Sequence, residues 1–339
     1  MNANIPGHIL RTPLFGWLTD YLKLAHVGKV RDTFEIPDQP DKLLVVASDR
    51  VSIFDIILNR FVPKKGEVLT AMTQFWLTQA LNVPNHLVAW GKDIDQFLPI
   101  ELHRNNDLKR RALVVQKLQM FDKECIARGY ITGTGWRDYQ KTGKICGIKL
   151  PEGLHDGSKL ESALFTPSTK AEQGHDENID AAAVIAQYPG IDTATLDVYH
   201  TARDFAEQKG IIIADTKLEF GHSGNGKFVL ADEVLTPDSS RFWDKASYIK
   251  AAELRRSPSG YDKQPLREAG KKAWISGNKV DISTELDPSD INDLEKAWLW
   301  NIPQQHIIDT TRRYLNIFEW LSSYSLDEYQ TKFFGITNN

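Results

Sequence analysis

The stretch Ile211-Ile-Ile-Ala-Asp215-Thr-Lys217-Leu-Glu219-Phe-Gly221 opens as an apolar run and ends on a glycine. Read as a β-strand, it places Asp215, Lys217 and Glu219 on one face and Thr216, Leu218 and Phe220 on the other, because successive side chains of a strand alternate. Two readings are open for three charges on one face. One is an edge strand whose Asp-Lys-Glu ladder faces water. The other is the wall of a site. Downstream, Gly224-Asn-Gly226 reads as a hairpin turn and Lys227-Phe-Val-Leu-Ala231 as the returning strand, which delivers Asp232-Glu233 near the same edge. Two acidic clusters at neighbouring strand ends can hold a hard divalent cation through oxygen, with Lys217 beside them to meet a phosphate.

Composition limits what such a site can serve. The 339 residues are 41% hydrophobic and 25% charged, ordinary globular values that exclude disorder, collagen-like repeats and coiled coil. This length predicts two lobes that share one interface. A net charge of -4 provides no general field for nucleic acid or an anionic membrane, so an anionic ligand must be met by local basic residues. Cys125 and Cys146 lack the paired spacing of a zinc site and are too few for a disulfide framework, so reduced thiols and a cytoplasmic protein are expected. Met1-Asn-Ala-Asn-Ile-Pro-Gly7 has neither the basic region nor the apolar core of a leader, and no run is long enough to span a bilayer.

Outward from the charged strand, several turns are suited to anions. Leu24-Ala-His-Val-Gly28-Lys29-Val30-Arg31-Asp32-Thr-Phe34 reads as two strands about a tight turn, with Gly28 allowing close backbone approach and Lys29 and Arg31 available to phosphate oxygens. A solvated basic edge has the same pattern. Leu43 to Ala47 is an apolar run that reads as a buried strand, and its exit, Ser48-Asp49-Arg50, suits either a ligand or a capped turn. Val68 to Leu81 is an amphipathic helix. Ala112 to Leu118 is another strand. Arg128 leads into Thr132-Gly-Thr134-Gly135, which reads as an anion-binding turn or as a glycine-rich hairpin with a surface arginine. Phe165 to Asn178 is long and polar, a candidate lid that carries Ser168, Lys170, Glu172, His175 and Asp176. A helix from Asp192 to Lys209, with Leu196, Tyr199, Ala202 and Ala206 on one stripe, leads into the charged strand. Residues 266 to 300 show no clear period. A last helix from about Pro303 to Ser323 carries Ile308, Leu315 and Phe318 as its core stripe.

Basic turns, paired acids and a polar lid, without a Ser-His-Asp or Cys-His pattern, point to an ATP-dependent ligase or a kinase, since phosphoryl transfer needs positioning and charge neutralisation more than a protein nucleophile. Spacing does not choose between them. Gly28-Lys-Val-Arg-Asp32, Ala47-Ser-Asp-Arg50, Arg128-Gly-Tyr-Ile-Thr-Gly-Thr134, Ser168-Thr-Lys-Ala-Glu172 with Gly174-His-Asp-Glu-Asn178, Ile213-Ala-Asp-Thr-Lys-Leu-Glu-Phe-Gly221 and Ala231-Asp-Glu-Val-Leu-Thr-Pro-Asp-Ser-Ser-Arg241 resemble, in order, the motifs of the SAICAR synthetase family in its long form. The resemblance implies an α+β fold related to ATP-grasp, with ATP between an N-terminal sheet-rich lobe, residues 1–118, and a C-terminal α/β lobe, residues 119–339. It implies a carbon–nitrogen ligase of purine biosynthesis that joins L-aspartate to carboxyaminoimidazole ribonucleotide (CAIR), giving SAICAR, ADP and phosphate by way of an acyl phosphate.

Carried over motif by motif, Gly28, Lys29 and Arg31 would meet the ATP phosphates, and Glu219 and Asp232 would bind magnesium or the nucleotide. Arg128, Thr134 and Arg241 would hold the phosphate of the nucleotide substrate. Asp215 and Lys217 would sit at the reacting carboxylate and the γ-phosphate. Ser168, Lys170, Glu172, His175 and Asp176, with Ser48, Asp49 and Arg50, would close over CAIR and aspartate. The expected partners are these small molecules, for a monomer or small homo-oligomer. Residues 266 to 300 match no family pattern. A small-molecule kinase on a related scaffold is the alternative, and a nucleotide-binding scaffold without turnover is a third reading, opposed by the intact Lys29, Lys217, Glu219 and Asp232.

Overall fold

The computed structural model of the chain describes residues 15–170, 177–222 and 226–337. Its first sheet uses β1 (Lys23–Val27), β2 (Arg31–Ile36) and β3 (Gln39–Ala47). After a separate hairpin of β4 (Arg50–Ile53) and β5 (Ile56–Phe61), it adds β6 (Leu87–Trp90) and β7 (Ala112–Gln116) in the order β1-β2-β3-β7-β6. The β1–β2 turn closes on the Gly28 N–H, which donates to Arg31 O at 2.8 Å; a Cβ on Gly28 would lie 2.6 Å from that carbonyl, so the turn requires glycine.

Helix α1 (Lys65–Phe75) is buried along its whole length. It begins three residues before the expected Val68 because the Asp49 carboxylate, on the loop after β3, accepts from the Gly66 N–H at 2.9 Å. Its last turn, Trp76–Ala80, widens into a π-helix. Short α2 (Asn106–Arg111) then leads into β7.

A second antiparallel sheet begins with β8 (Gln119–Met120) and β9 (Lys123–Tyr130). Helix α3 (Gly133–Thr142) and the small hairpin of β10 (Lys144–Ile145) and β11 (Ile148–Lys149) follow. The sheet resumes with β12 (Lys159–Phe165) and β13 (Ser168–Thr169). After α4 (Ala181–Gln187) and α5 (Ile191–Gln208) come β14 (Ile211–His222), β15 (Phe228–Ala231) and β16 (Ser240–Asp244). The charged stretch is β14, and it is central. From Asp215 to Leu218 it pairs with β9, from Ile211 to Thr216 with β16, and from Glu219 to His222 with β15. The edge-strand reading is therefore overturned: the charges have protein on both sides. Strand β15 returns as expected, while the tip of the turn at residues 223–225 lies outside the described residues. Helix α5 buries Tyr199, Ala202 and Ala206 of its expected stripe, with Leu196 only half-buried, and Tyr199 donates its hydroxyl to Ile213 O at 2.8 Å, tying the helix to β14.

The tail is built from short pieces: α6 (Lys245–Glu253), α7 (Gln264–Gly270), β17 (Ala273–Ile275), β18 (Asn278–Val280), α8 (Ile282–Glu285) and α9 (Ile291–Trp298). Elements of three to nine residues complete too few turns to show a period. From α7 onward they close a small core on the β4–β5 hairpin, with Leu266, Ile275 and Ile282 against Val51, Ile53 and Ile56. Helix α10 (Gln304–Ser322) matches the expected span, but its buried side is Ile307, Tyr314, Ile317, Phe318 and Leu321. Ile308 is exposed and Leu315 half-buried, a one-residue rotation from the expected stripe set by α1 and α7, against which the helix packs. Helix α11 (Leu326–Phe334) closes the chain under a Ser325–Glu328 capping box. Among the described residues no helix is long and apolar enough to cross a membrane.

Candidate active site

In the β-register Asp215 stands opposite Arg128 on β9 and opposite Arg241 on β16. Both guanidiniums close on the same oxygen: Arg128 Nη1 donates to Asp215 Oδ2 at 2.7 Å, and Arg241 Nη1 donates to it from the other side. Arg128 also donates to Thr166 Oγ1 at 2.9 Å and to Thr134 Oγ1 at 3.0 Å. At 2% exposure it is not the surface arginine of a hairpin, and Thr-Gly-Thr-Gly is not a hairpin turn. Gly133 instead opens α3 from a left-handed φ of 59°, after Thr132 in extended conformation. A Cβ at Gly133 would collide with the Arg241 guanidinium. Burial pulls Arg128 below the ordinary arginine range, with Arg241 adding to the effect and Asp215 opposing it. Two guanidiniums share the Asp215 carboxylate; the charge of Asp262 also acts on Arg241, while Arg267 on α7 adds a third guanidinium, its affinity for a proton depressed by burial and by Arg241.

One turn along β14, Lys217 Nζ bonds Glu124 Oε1 at 2.5 Å, while Ser168 Oγ donates to Glu124 Oε2 at 3.0 Å. Ser168 is buried in β13 against β9 rather than standing in a mobile lid. Glu219, next on the same face, accepts from Lys170 Nζ at 2.5 Å. The β14–β15 pairing sets Glu219 opposite Ala231 and so brings Asp232 beside it. Burial and the Asp232 charge push the Glu219 carboxyl up. Burial opposes ionisation of Asp232 as well, but Arg31 and Lys170 hold its carboxyl low. Arg31 bridges Asp232 at 2.7 Å and Glu233 at 2.9 Å. Behind this group, Val45, Ala47, Leu69 and Val115 floor an apolar cavity whose charged rim is Arg31, Asp232 and Glu233. His86 lines it with Nε2 buried and without a hydrogen-bond partner, and burial lowers its pKa to about 4, so the ring is neutral.

The expected residues thus gather in three groups: Arg128, Thr134, Asp215 and Arg241; Ser168 and Lys217; Lys170, Glu219, Asp232 and Arg31. Others stand apart. Exposed Lys29 pairs with Asp55. Ser48 donates to Val30 O at 2.5 Å, Arg50 bonds Asp32 at 2.5 Å, and Asp49 caps α1 and meets Arg111 at 3.3 Å, contacts that brace the exit of β3. Glu172, His175 and Asp176 lie outside the described residues. Glu124, His86 and Arg267 belong to the site without having been singled out, and Glu233 joins it as the second acid of the expected Asp232-Glu233 pair. Glu124 was findable, since it shares a strand face with Arg128 four residues on.

Two guanidiniums on a buried carboxylate, lysines seated on glutamates and a carboxylate pair at the mouth of an apolar cavity are the equipment that a phosphorylated anion calls for. Comparison with known proteins narrows this class. The SAICAR synthetase family profile matches residues 24–280. Phosphoribosylaminoimidazole-succinocarboxamide synthase from Maridesulfovibrio salexigens is 42% identical over 314 residues, 90% of this chain and 96% of its own length. The enzyme of that name from Thermodesulfovibrio yellowstonii is 43% identical over 323 residues, 93% of this chain and 99% of its own. Among solved structures, SAICAR synthase from Saccharomyces cerevisiae complexed with SAICAR superposes with a TM-score of 0.74 at 36% identity, covering 93% of this chain and 98% of that one. The chain belongs to the SAICAR synthetase family.

Proposed function

We propose that this chain joins L-aspartate to CAIR at the expense of ATP, giving SAICAR, ADP and phosphate in purine biosynthesis. The observation that carries the reading is the pair Arg128 and Arg241 converging on Asp215 beside Lys217, in a chain of this family. The yeast relative solved with SAICAR supports the same product.

A carboxylate is a poor electrophile, so the CAIR carboxylate must be activated before an amine can displace oxygen from it. Transfer of the γ-phosphoryl group forms a bond from carboxylate oxygen to phosphorus and breaks the bond to the ADP oxygen. The aspartate amine then adds to the acyl carbon, the carbon–oxygen bond to phosphate breaks, and the nitrogen loses its proton. Arg128, Thr134 and Arg241 hold the substrate's own phosphate, their surplus positive charge matching an anion. Asp215 keeps both guanidiniums aligned and lies toward the reacting carboxylate, with Lys217 placed to offset charge on the phosphoryl group in flight and Lys29 free to swing from Asp55 to the ATP phosphates. The apolar cavity floored by Val45, Leu69 and Val115 suits the adenine ring of ATP. Among the described residues no group of three His, Cys, Asp or Glu side chains is arranged to hold a metal. Glu219 and Asp232 nevertheless fit magnesium, which prefers oxygen donors and commonly takes one or two protein carboxylates with phosphates and waters completing its shell. Bound there, it would neutralise phosphate charge. In the same reading residues 1–118 and 119–339 are two lobes related to the ATP-grasp design, supported by the change of sheet between Gln116 and Gln119, and the protein works in the cytoplasm, supported by two free, buried cysteines.

A coupled assay tests this. ADP should appear only with CAIR, aspartate and ATP together. Steady ADP release without aspartate would assign a kinase, and none under any condition a scaffold.

A further inference from the structure

Away from β14, two lysines and a tyrosine from separate parts of the chain converge on one buried carboxylate. Lys65, fully buried at the start of α1, places Nζ 2.5 Å from Asp238 Oδ2. The other oxygen, Oδ1, accepts the Tyr314 hydroxyl of α10 at 2.5 Å and lies 3.6 Å from Lys263 Nζ, just before α7. The Asp238 side chain is 4% exposed, and the Tyr314 ring lies 5.9 Å from Lys65 Nζ. Burial alone would raise the Asp238 carboxyl; Lys263, Lys65 and Tyr314 hold it well below the usual carboxylate range.

Asp238 sits in a turn that feeds the active site directly. The Asp238 N–H donates to Thr236 Oγ1 at 3.2 Å, closing the turn. Ser239 O accepts the backbone N–H of Lys217 at 2.8 Å, and the Ser240 and Thr216 hydroxyls meet at 2.8 Å. Arg241, the next residue, closes on Asp215. A hydroxyl in the core costs stability unless bonded, and a phenylalanine would fill position 314 equally well if α10 served only packing. The hydroxyl instead completes the enclosure of a carboxylate that both lysines already reach. Tyr314 lies beyond residues 24–280, the part of the chain that the family profile matches.

We propose that Tyr314, acting through Asp238, is a positioning residue that holds the Thr236–Arg241 turn, and with it Arg241 and the backbone of Lys217, in register for the nucleotide substrate. Helix α10 is thereby part of the binding machinery. The proposal rests on the reading of Arg241 as a contact to the CAIR phosphate.

Tyr314→Phe removes one oxygen and keeps the ring. Steady-state kinetics on this variant, on Arg241→Ala and on the double variant separate the possibilities. Tyr314→Phe should raise KM for CAIR about tenfold while KM for ATP stays within about twofold, as expected for loss of one hydrogen bond to a charged group that acts at one substrate. The double variant should be no worse than Arg241→Ala alone. An unchanged CAIR KM in Tyr314→Phe, or penalties that multiply in the double variant, would leave α10 a packing element and overturn the proposal. Arg241→Ala with an unchanged CAIR KM would identify the failure as that of the arginine's assignment, and the positioning role would fall with it. Where Tyr314→Phe does not fold, Asp238→Asn makes the same test: a raised CAIR KM supports the role and a wild-type value overturns it.

Discussion

Asp215 receives two arginines where one would neutralise it, and a buried ion pair is weak as a source of stability because desolvation offsets the attraction. The extra guanidinium is therefore best explained by an anion that completes the group. The opposite imbalance exists at Asp232, where three carboxylates, Glu219, Asp232 and Glu233, face Arg31 and Lys170. Asp232→Asn removes one charge and keeps the shape, so Arg31 still has Glu233. Turnover at fixed magnesium should fall about 100-fold and half-saturation should move to higher magnesium, with thermal unfolding little changed. An unaltered magnesium titration would remove Asp232 from the ligand set. Lys263 supplies a pH test. Burial, opposed by Asp238, pushes its pKa down from 10.5 to about 8. Between those values the folded chain has released a proton that the unfolded chain still binds, so stability rises with pH there by at most about 1.4 kcal/mol per unit. Below pH 8 both states are protonated and the contribution is flat. Urea unfolding at pH 8 and 9.5 should show this rise in the wild type relative to Lys263→Met; parallel responses would show that the lysine titrates normally.

At the scale of elements, what was legible was what local pattern encodes. Strand β14, the return of β15 and the span of α5 follow from alternation and from a 3.6-residue period, and the three charged side chains of β14 were assigned to one face before their partners were known. Which residue meets which charge was not legible, because Arg128, Glu124 and Lys170 reach β14 through pairings or loops tens of residues away. Helix α1 begins early for the same reason: its cap comes from Asp49. Thr-Gly-Thr-Gly misleads in another way. Two glycines signal a turn, but here one gives way to a guanidinium and the segment continues as α3. Gly133→Ala should therefore act twice. The left-handed φ costs roughly 1 kcal/mol for a residue with a Cβ, and displacing Arg241 should add a raised KM for CAIR. A variant with wild-type melting temperature and wild-type CAIR kinetics would show that α3 can restart without its glycine.

For the whole molecule, the question is what the tail does, since the family profile ends at residue 280 while α10 and α11 lie beyond it. Their buried faces are not a separate unit. Tyr314, Ile317, Phe318, Leu321, Tyr329 and Phe334 enter the same core cluster as Phe75 and Trp76 of α1 and Ile211 and Ile213 of β14. Phe318 and Tyr329 meet edge to face at 5.0 Å, and Tyr329 donates to Gln74 of α1 at 2.6 Å. Their loss would expose apolar surface of α1 and β14 to water, and a net stability of roughly 5–15 kcal/mol is a narrow margin against an opening of that size. Ending the chain at residue 302 should therefore abolish cooperative folding rather than merely slow catalysis, because it uncovers α1 and leaves Lys65 and Asp238 without Tyr314. Circular dichroism melts and near-ultraviolet spectra of the shortened chain would show this as a broad transition without fixed aromatic packing. A sharp melt with wild-type near-ultraviolet signal would mean that the core closes without its last two helices, and that their contribution lies in the site alone.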